Sequence, residues 1–140
     1  MEQEINKMMT VSYDGALRCT AVHIKSGNTL TSDAPPDNNG RGEAFSPTDL
    51  LCTALACCMI TVMAIAAEKK EIQMGNVNAE IEKRMLAEPR RVGEIVIKLQ
   101  IENKNYGNRE KRLLETAALN CPVAKSLSSE LKQTVRFEYL

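Results

Sequence analysis

The sequence predicts an antiparallel-rich α+β fold with the element order βββ-α-ββ-αα-β, on three observations. Two glycine turns separate β-prone runs near the N-terminus, an uncharged helical stretch runs from Leu50 to Ala67, and alternating strands flank amphipathic helices in the second half. The chain of 140 residues carries 18 basic and 18 acidic side chains and is 44% hydrophobic, which suits a single globular domain over 1–140 with a core of its own. Neutral balance and few aromatics argue against nucleic-acid binding, which calls for a basic face and stacking rings.

Asn6 to Tyr13, Ala16 to Ile24 and Thr29 to Ser32 read as a three-stranded meander. Asp14-Gly15 marks the first hairpin turn and Ser26-Gly27-Asn28 the second. Asp33 to Glu43, with Pro35-Pro36 and Asn38-Asn39-Gly40, reads as a loop. Ser46-Pro47-Thr48-Asp49 then starts a helix: Ser46 caps, Pro47 takes the first helical position, and Asp49 stands where a capping box needs its acid.

That helix extends to about Lys70 and has no polar face between Leu50 and Ala66, so it should be covered on all sides. One small domain struggles to surround it, and dimerisation is the simple remedy. The stretch is near the length of a bilayer span but consists largely of Ala, Cys, Thr and Met, which favours a helix buried in protein over a membrane segment. The acidic start Met1-Glu2-Gln3-Glu4 does not resemble a signal peptide, and a reducing cytoplasm is the expected compartment.

Val77 to Leu86 and Val92 to Glu102 form the next two strands, joined by Glu88-Pro89-Arg90-Arg91, a charged hairpin tip. Ile95, Ile97, Leu99 and Ile101 alternate onto one face. Asn108 can cap a helix from Arg109 to about Leu119, with an apolar stripe of Leu113, Leu114, Ala117 and Ala118. Pro122 opens a short helix through Leu127, and Thr134 to Tyr139 closes the chain as a strand.

Five cysteines are too few for a disulfide scaffold. Cys-x-x-Cys is absent and His23 is the single histidine, so a zinc site lacks its usual spacing, and no metal or cofactor is expected. Cys121, at a helix N-terminus, has a physical reason to be acidic, because unpaired amide N–H groups favour thiolate. Cys58 lies mid-helix, gains no such help from its own helix, and would need a donor such as an arginine. By composition alone Cys52, Cys57 and Cys58 also read as small hydrophobes in an Ala-rich helix. His23 reads as a surface or edge residue and Lys125 as solvated; Met8, Met9, Met59 and Met63 fill a core or line an apolar tunnel.

Ser-Pro-Thr-Asp-Leu-Leu-Cys-Thr-Ala-Leu-Ala-Cys-Cys-Met, 46–59, resembles the Pro-x-x-Leu-(small-rich)-Cys helix of the OsmC/Ohr family of osmotically induced and organic hydroperoxide resistance proteins. Asn-Cys-Pro-Val-Ala-Lys-Ser-Leu, 120–127, resembles that family's Cys-Pro-Val-Ser-Lys-Ala-Leu motif. The element order is similar along essentially the whole chain. The spacing from Pro47 to Cys58 is 11, which places Cys58, rather than Cys57, at the family's peroxidatic position, and Cys121 at the resolving one.

The resemblance implies an OsmC-like thiol peroxidase for oxidative stress defence. Cys58 would form a sulfenic acid on an organic or hydrogen peroxide, Cys121 would close a Cys58–Cys121 disulfide, and a dithiol, of lipoyl type in expectation, would reopen it. It also implies an intertwined homodimer with both chains building each site; the charge balance and the composition of the long helix argue against nucleic-acid and membrane partners. The family's reductases carry a Glu directly after the motif Pro, where it orients a thiolate-stabilising Arg. Here that position is Thr48, and Asp49 reads as a capping acid. Arg18, after the Asp14-Gly15 turn, is the match for the arginine, with Arg41 as a substitute. Cys57, Cys52 and Cys19 read as bystanders. Thr48 leaves open a second reading, in which the fold binds an apolar ligand in a dimer pocket without efficient peroxidase chemistry. Redox sensing is a third, and the chain has no DNA-binding helix pair to carry it.

Overall fold

The computed structural model describes residues 3–140, so Met1 and Glu2, half of the acidic start, lie outside the described residues. The chain divides into two compact units, Met1–Leu50 and Leu51–Leu140.

The first unit is the meander: β1 (Met9–Gly15), β2 (Arg18–His23) and β3 (Thr29–Asp33), in the order β1-β2-β3 with both pairs antiparallel. The first turn lies further on than Asp14-Gly15 suggested. Its central residues are Ala16 and Leu17, both with positive φ (52° and 63°), and the register shifts between Tyr13 and Gly15. Asp14 is still in the strand, where its carboxylate accepts the Thr20 hydroxyl. The Asp-Gly signal therefore marks a bulge beside the turn instead of the turn itself. Asp33, read from sequence as the first loop residue, is the last residue of β3. The loop that follows contains a 3-10 turn at Pro36–Asn38 and returns to the sheet through a bridge between Ser32 and Phe45.

Helix α1 (Pro47–Lys69) starts where Ser46-Pro47 placed it. Ser46 Oγ accepts the Asp49 N–H at 3.0 Å, and an Asp49 carboxylate oxygen accepts the Ser46 N–H at 2.9 Å, so the capping box is formed. By length and composition α1 could cross a membrane.

In the second unit, β4 (Val77–Leu86), β5 (Arg91–Ile101) and β6 (Lys132–Tyr139) form one sheet in that order. β4 and β5 are antiparallel; β5 and β6 are parallel, so the sheet is mixed. The β4–β5 turn is held from within: the Arg91 guanidinium donates to the carbonyls of Ala87 and Pro89, so this residue of the expected charged tip is a turn clasp in β5. Helix α2 (Asn108–Leu119) begins one residue before the sequence placed it. Gly107 occupies the cap position, its N–H donating to the Glu110 carboxylate at 2.9 Å, and Asn108 is already helical. Helix α3 (Pro122–Ser126) follows directly.

The buried core lies wholly in this second unit. It joins Cys52, Leu55, Ala56, Met59, Met63 and Ala67 of α1 to Ile95, Ile97, Leu99 and Ile101 of β5, with Leu114 and Ala118 of α2 and Cys121 and Ala124 beside α3. Met59 and Met63 are therefore core filling. Only one side of α1 is covered in this way. Leu51, Ala54, Cys57, Thr61 and Ile65 recur at helical spacing on the other side and are exposed, so a single chain leaves an apolar stripe uncovered, as expected of a helix that one small domain struggles to surround.

Candidate active site

Three thiols enter α1 at different angles because successive residues turn about 100° around a helix. Cys52 is buried in the core, Cys57 is exposed, and Cys58 is half-buried at the core's edge. Of the three, Cys58 meets another cysteine. Cys58 packs against the core cluster that holds Cys121 and interacts with that thiol, 63 positions along the chain. Both are free thiols.

Cys121 is placed by the Cys-Pro start of α3. It occupies the cap position, with extended backbone (φ −66°, ψ 156°), and Pro122 begins the helix. The side chain is fully buried among α1, β5 and α2 residues of the core. The expected acidity does not follow. Burial pushes the Cys121 thiol pKa up, and charge on Cys58 pushes it further, while the amides of Ala124 and Val123 act in the opposite direction and do not win. A helix of five residues has too small a dipole to offset desolvation of a buried thiolate. Cys121 is thus held as S–H.

The first unit holds the arginine that the sequence singled out. Arg18 faces Asp33 across the β2–β3 ladder as its register partner. Its Nε donates to Asp33 Oδ1 at 2.7 Å and its Nη2 to Oδ2 at 2.8 Å, a bidentate fork. Asp33 is 1% exposed, and its carboxylate also accepts the Glu43 N–H at 3.2 Å. The exposed Glu43 carboxylate lies 3.6 Å from Nη2. The hydrogen bond to Arg18 is the main cause that holds the Asp33 carboxyl below the usual range, against desolvation; the same bond holds the Arg18 guanidinium firmly charged. Arg41 adds a weaker attraction to Asp33.

Thr48 carries no acid, and its hydroxyl is 3.2 Å from Ser46 Oγ within the cap of α1. Asp49 is occupied as the capping acid, as read from sequence. Asp33 is the residue that sequence reasoning missed. The only available signal was an acid at the end of a strand opposite a basic residue, and the proline-rich tract after it assigned it to the loop. His23 is exposed, its ring 2.6 Å from the Ser26 hydroxyl, and Lys125 is exposed in the last turn of α3. Among the described residues no three His, Cys, Asp or Glu side chains converge on a metal-sized site.

The family model for OsmC-like protein matches residues 40–136. The chain is 42% identical to a structure from Psychrobacter arcticus 273-4, whose name proposes an osmotic stress induced and detoxification response; the match covers 98% of this chain and 99% of that one, with a TM-score of 0.90. An OsmC-like protein from Mycoplasma pneumoniae shares the fold at 20% identity and a TM-score of 0.80, covering 100% and 99% of the two chains. An organic hydroperoxide resistance protein from Elizabethkingia anophelis does so at 14% identity and a TM-score of 0.73, covering both chains completely. No curated protein matches closely.

Proposed function

The chain belongs to the OsmC-like family, and from that premise we propose that it is a thiol-dependent peroxidase reducing organic hydroperoxides. The observation that carries the reading is the contact between Cys58 and Cys121, which supports a two-cysteine cycle. The Cys58 thiolate attacks the terminal peroxide oxygen; the O–O bond breaks, the organic oxygen leaves as alkoxide and takes a proton from solvent to become alcohol, and Cys58 keeps the OH as a sulfenic acid. The Cys121 sulfur then attacks the Cys58 sulfur, and its proton leaves with the sulfenic oxygen as water. The resulting Cys58–Cys121 disulfide is reopened by exchange with an external dithiol.

Arg18 enters this reading through the family resemblance, as the cation that favours the Cys58 thiolate. The uncovered apolar stripe of α1 supports a homodimer, in which a second copy covers Leu51 and Ile65. Ile65→Asp would then give a monomer in sedimentation where the parent protein is a dimer. A reducing cytoplasm would keep the five thiols free between cycles.

The apolar-binder alternative drew on Thr48 standing where the family's reductases carry Glu. That argument weakens, because Arg18 has a carboxylate from another strand.

The test is intact mass and free-thiol count after one equivalent of cumene hydroperoxide, run beside hydrogen peroxide and Cys58→Ser. The expected result is rapid loss of two thiols in the parent protein, faster with the organic peroxide, and no such loss in the variant. Survival of all five thiols, or slow oxidation indifferent to the peroxide, would sink the peroxidase reading.

A further inference from the structure

We propose that the cleft between the end of α1 and the outer face of α2 binds a phosphate monoester carrying an apolar group. The site lies wholly within Leu51–Leu140, and the inference does not rest on the peroxidase reading.

Lys70, just past α1, and Arg109 and Arg112 of α2 line one cleft of about 620 Å³. Arg109, Arg112 and Thr116 fall at i, i+3 and i+7, so they share one face of α2. The other faces of that helix are occupied. Leu114 and Ala118 lie in the core, the Glu115 carboxylate accepts the Tyr139 hydroxyl at 2.8 Å, and the Lys111 ammonium lies 4.7 Å from the centre of the Tyr139 ring. Glu110 is the acid of the lining, and its carboxylate accepts the Gly107 N–H at 2.9 Å. Among the described residues no carboxylate forms an ion pair with Lys70, Arg109 or Arg112.

Three cations and one carboxylate leave the lining at 3 − 1 = +2. A phosphate monoester, with roughly two negative charges at pH 7, matches that charge; a carboxylate supplies half of it. Two guanidiniums, an ammonium and the Thr116 hydroxyl provide donors for three phosphate oxygens, and the planar arginine fork suits phosphate in particular. The head group does not fill the cleft. Ile72 and Leu113, both half-buried, line the remainder and suit a short alkyl or aryl group on the ester. Cys58 to Lys70 and Arg109 to Cys121 each span 12 positions (70 − 58 and 121 − 109), about 18 Å at helical rise, so the cleft lies at the far end of the helix pair from the thiols.

The test titrates the whole protein at pH 7 with hexyl phosphate, inorganic phosphate, hexanoate and hexanol, followed by NMR of the backbone amides. Hexyl phosphate should bind with a Kd on the order of 1 mM or tighter and shift the amides of Lys70, Ile72 and residues 109–116. The three simpler probes, which lack the apolar group, one charge or both charges, should each bind at least roughly fivefold more weakly. Arg112→Gln should weaken hexyl phosphate roughly 2- to 5-fold, and adding Arg109→Gln should weaken it further. Lys132→Gln removes an exposed cation of β6 outside the cleft and should leave the affinity unchanged. Both arginines are exposed, so these variants keep the fold. Any simpler probe binding as tightly as hexyl phosphate, amide shifts confined to other residues, or unchanged affinity in the double variant would overturn the proposal. The thiol count after peroxide is a separate readout, so failure of the peroxidase reading leaves this titration decisive.

Discussion

The molecule contains two three-stranded sheets with alternating apolar residues, and they are buried to opposite degrees. In β5, Ile95, Ile97, Leu99 and Ile101 are 0% exposed, whereas Met9, Val11 and Tyr13 of β1 are 62%, 68% and 66% exposed. Among the described residues of Met1–Leu50 the only buried ones are polar, Asp33 and Ser46. The second sheet packs beneath α1 and α2 and forms a hydrophobic core. The first unit is organised instead by a buried ion pair and a helix cap. Strand alternation announces which residues share a face; a partner layer decides whether that face leaves water.

The comparison is sharpest where a truncation removes buried surface. Leu55→Ala or Ile97→Ala should destabilise the protein by about 2–5 kcal/mol in denaturant unfolding, because each leaves a cavity in a packed core. Ser46→Ala should cost about 1 kcal/mol, through loss of the hydroxyl that accepts the Asp49 N–H. Val11→Ala should lie within about 0.5 kcal/mol if its face stays in water. A larger loss that grows with protein concentration would instead show a second copy covering that face, and would break the contrast between the two sheets.

The pH dependence separates the units in another way. Asp33 has its carboxyl pKa lowered on folding, chiefly by Arg18, so its contribution is complete above the ordinary aspartate value of about 4 and is lost as pH falls through the lowered one. Stability curves of the parent and Asp33→Asn should therefore differ at neutral pH and converge in acid. Cys121 has the opposite sign. Its thiol pKa is raised by burial, so that contribution holds below the ordinary thiol value and is lost as pH rises past it. Alkylation at pH 7 should modify the buried Cys121 last; an early Cys121 would show that α3 opens readily.

Much of the fold was legible because its signals are local. The capping box of α1, the alternation of β5 and the Pro122 start of α3 depend on residues a few positions apart, and each appears in the structure. The misplaced first turn and the Gly107 cap of α2 show the limit of such signals, since a bulge or a glycine cap shifts an element by a residue or two. The two candidate cysteines were legible through their motifs. Their meeting across 63 positions and the protonated state of Cys121 were not, because both depend on how α3 is buried against α1. Nor was Asp33, whose partner is set by strand register. Sequence by itself determined the elements, their order and the residue types available for thiol chemistry. Tertiary structure alone decided which acid holds Arg18 and that the Cys121 thiol keeps its proton, because desolvation and ion pairing act on neighbours in space.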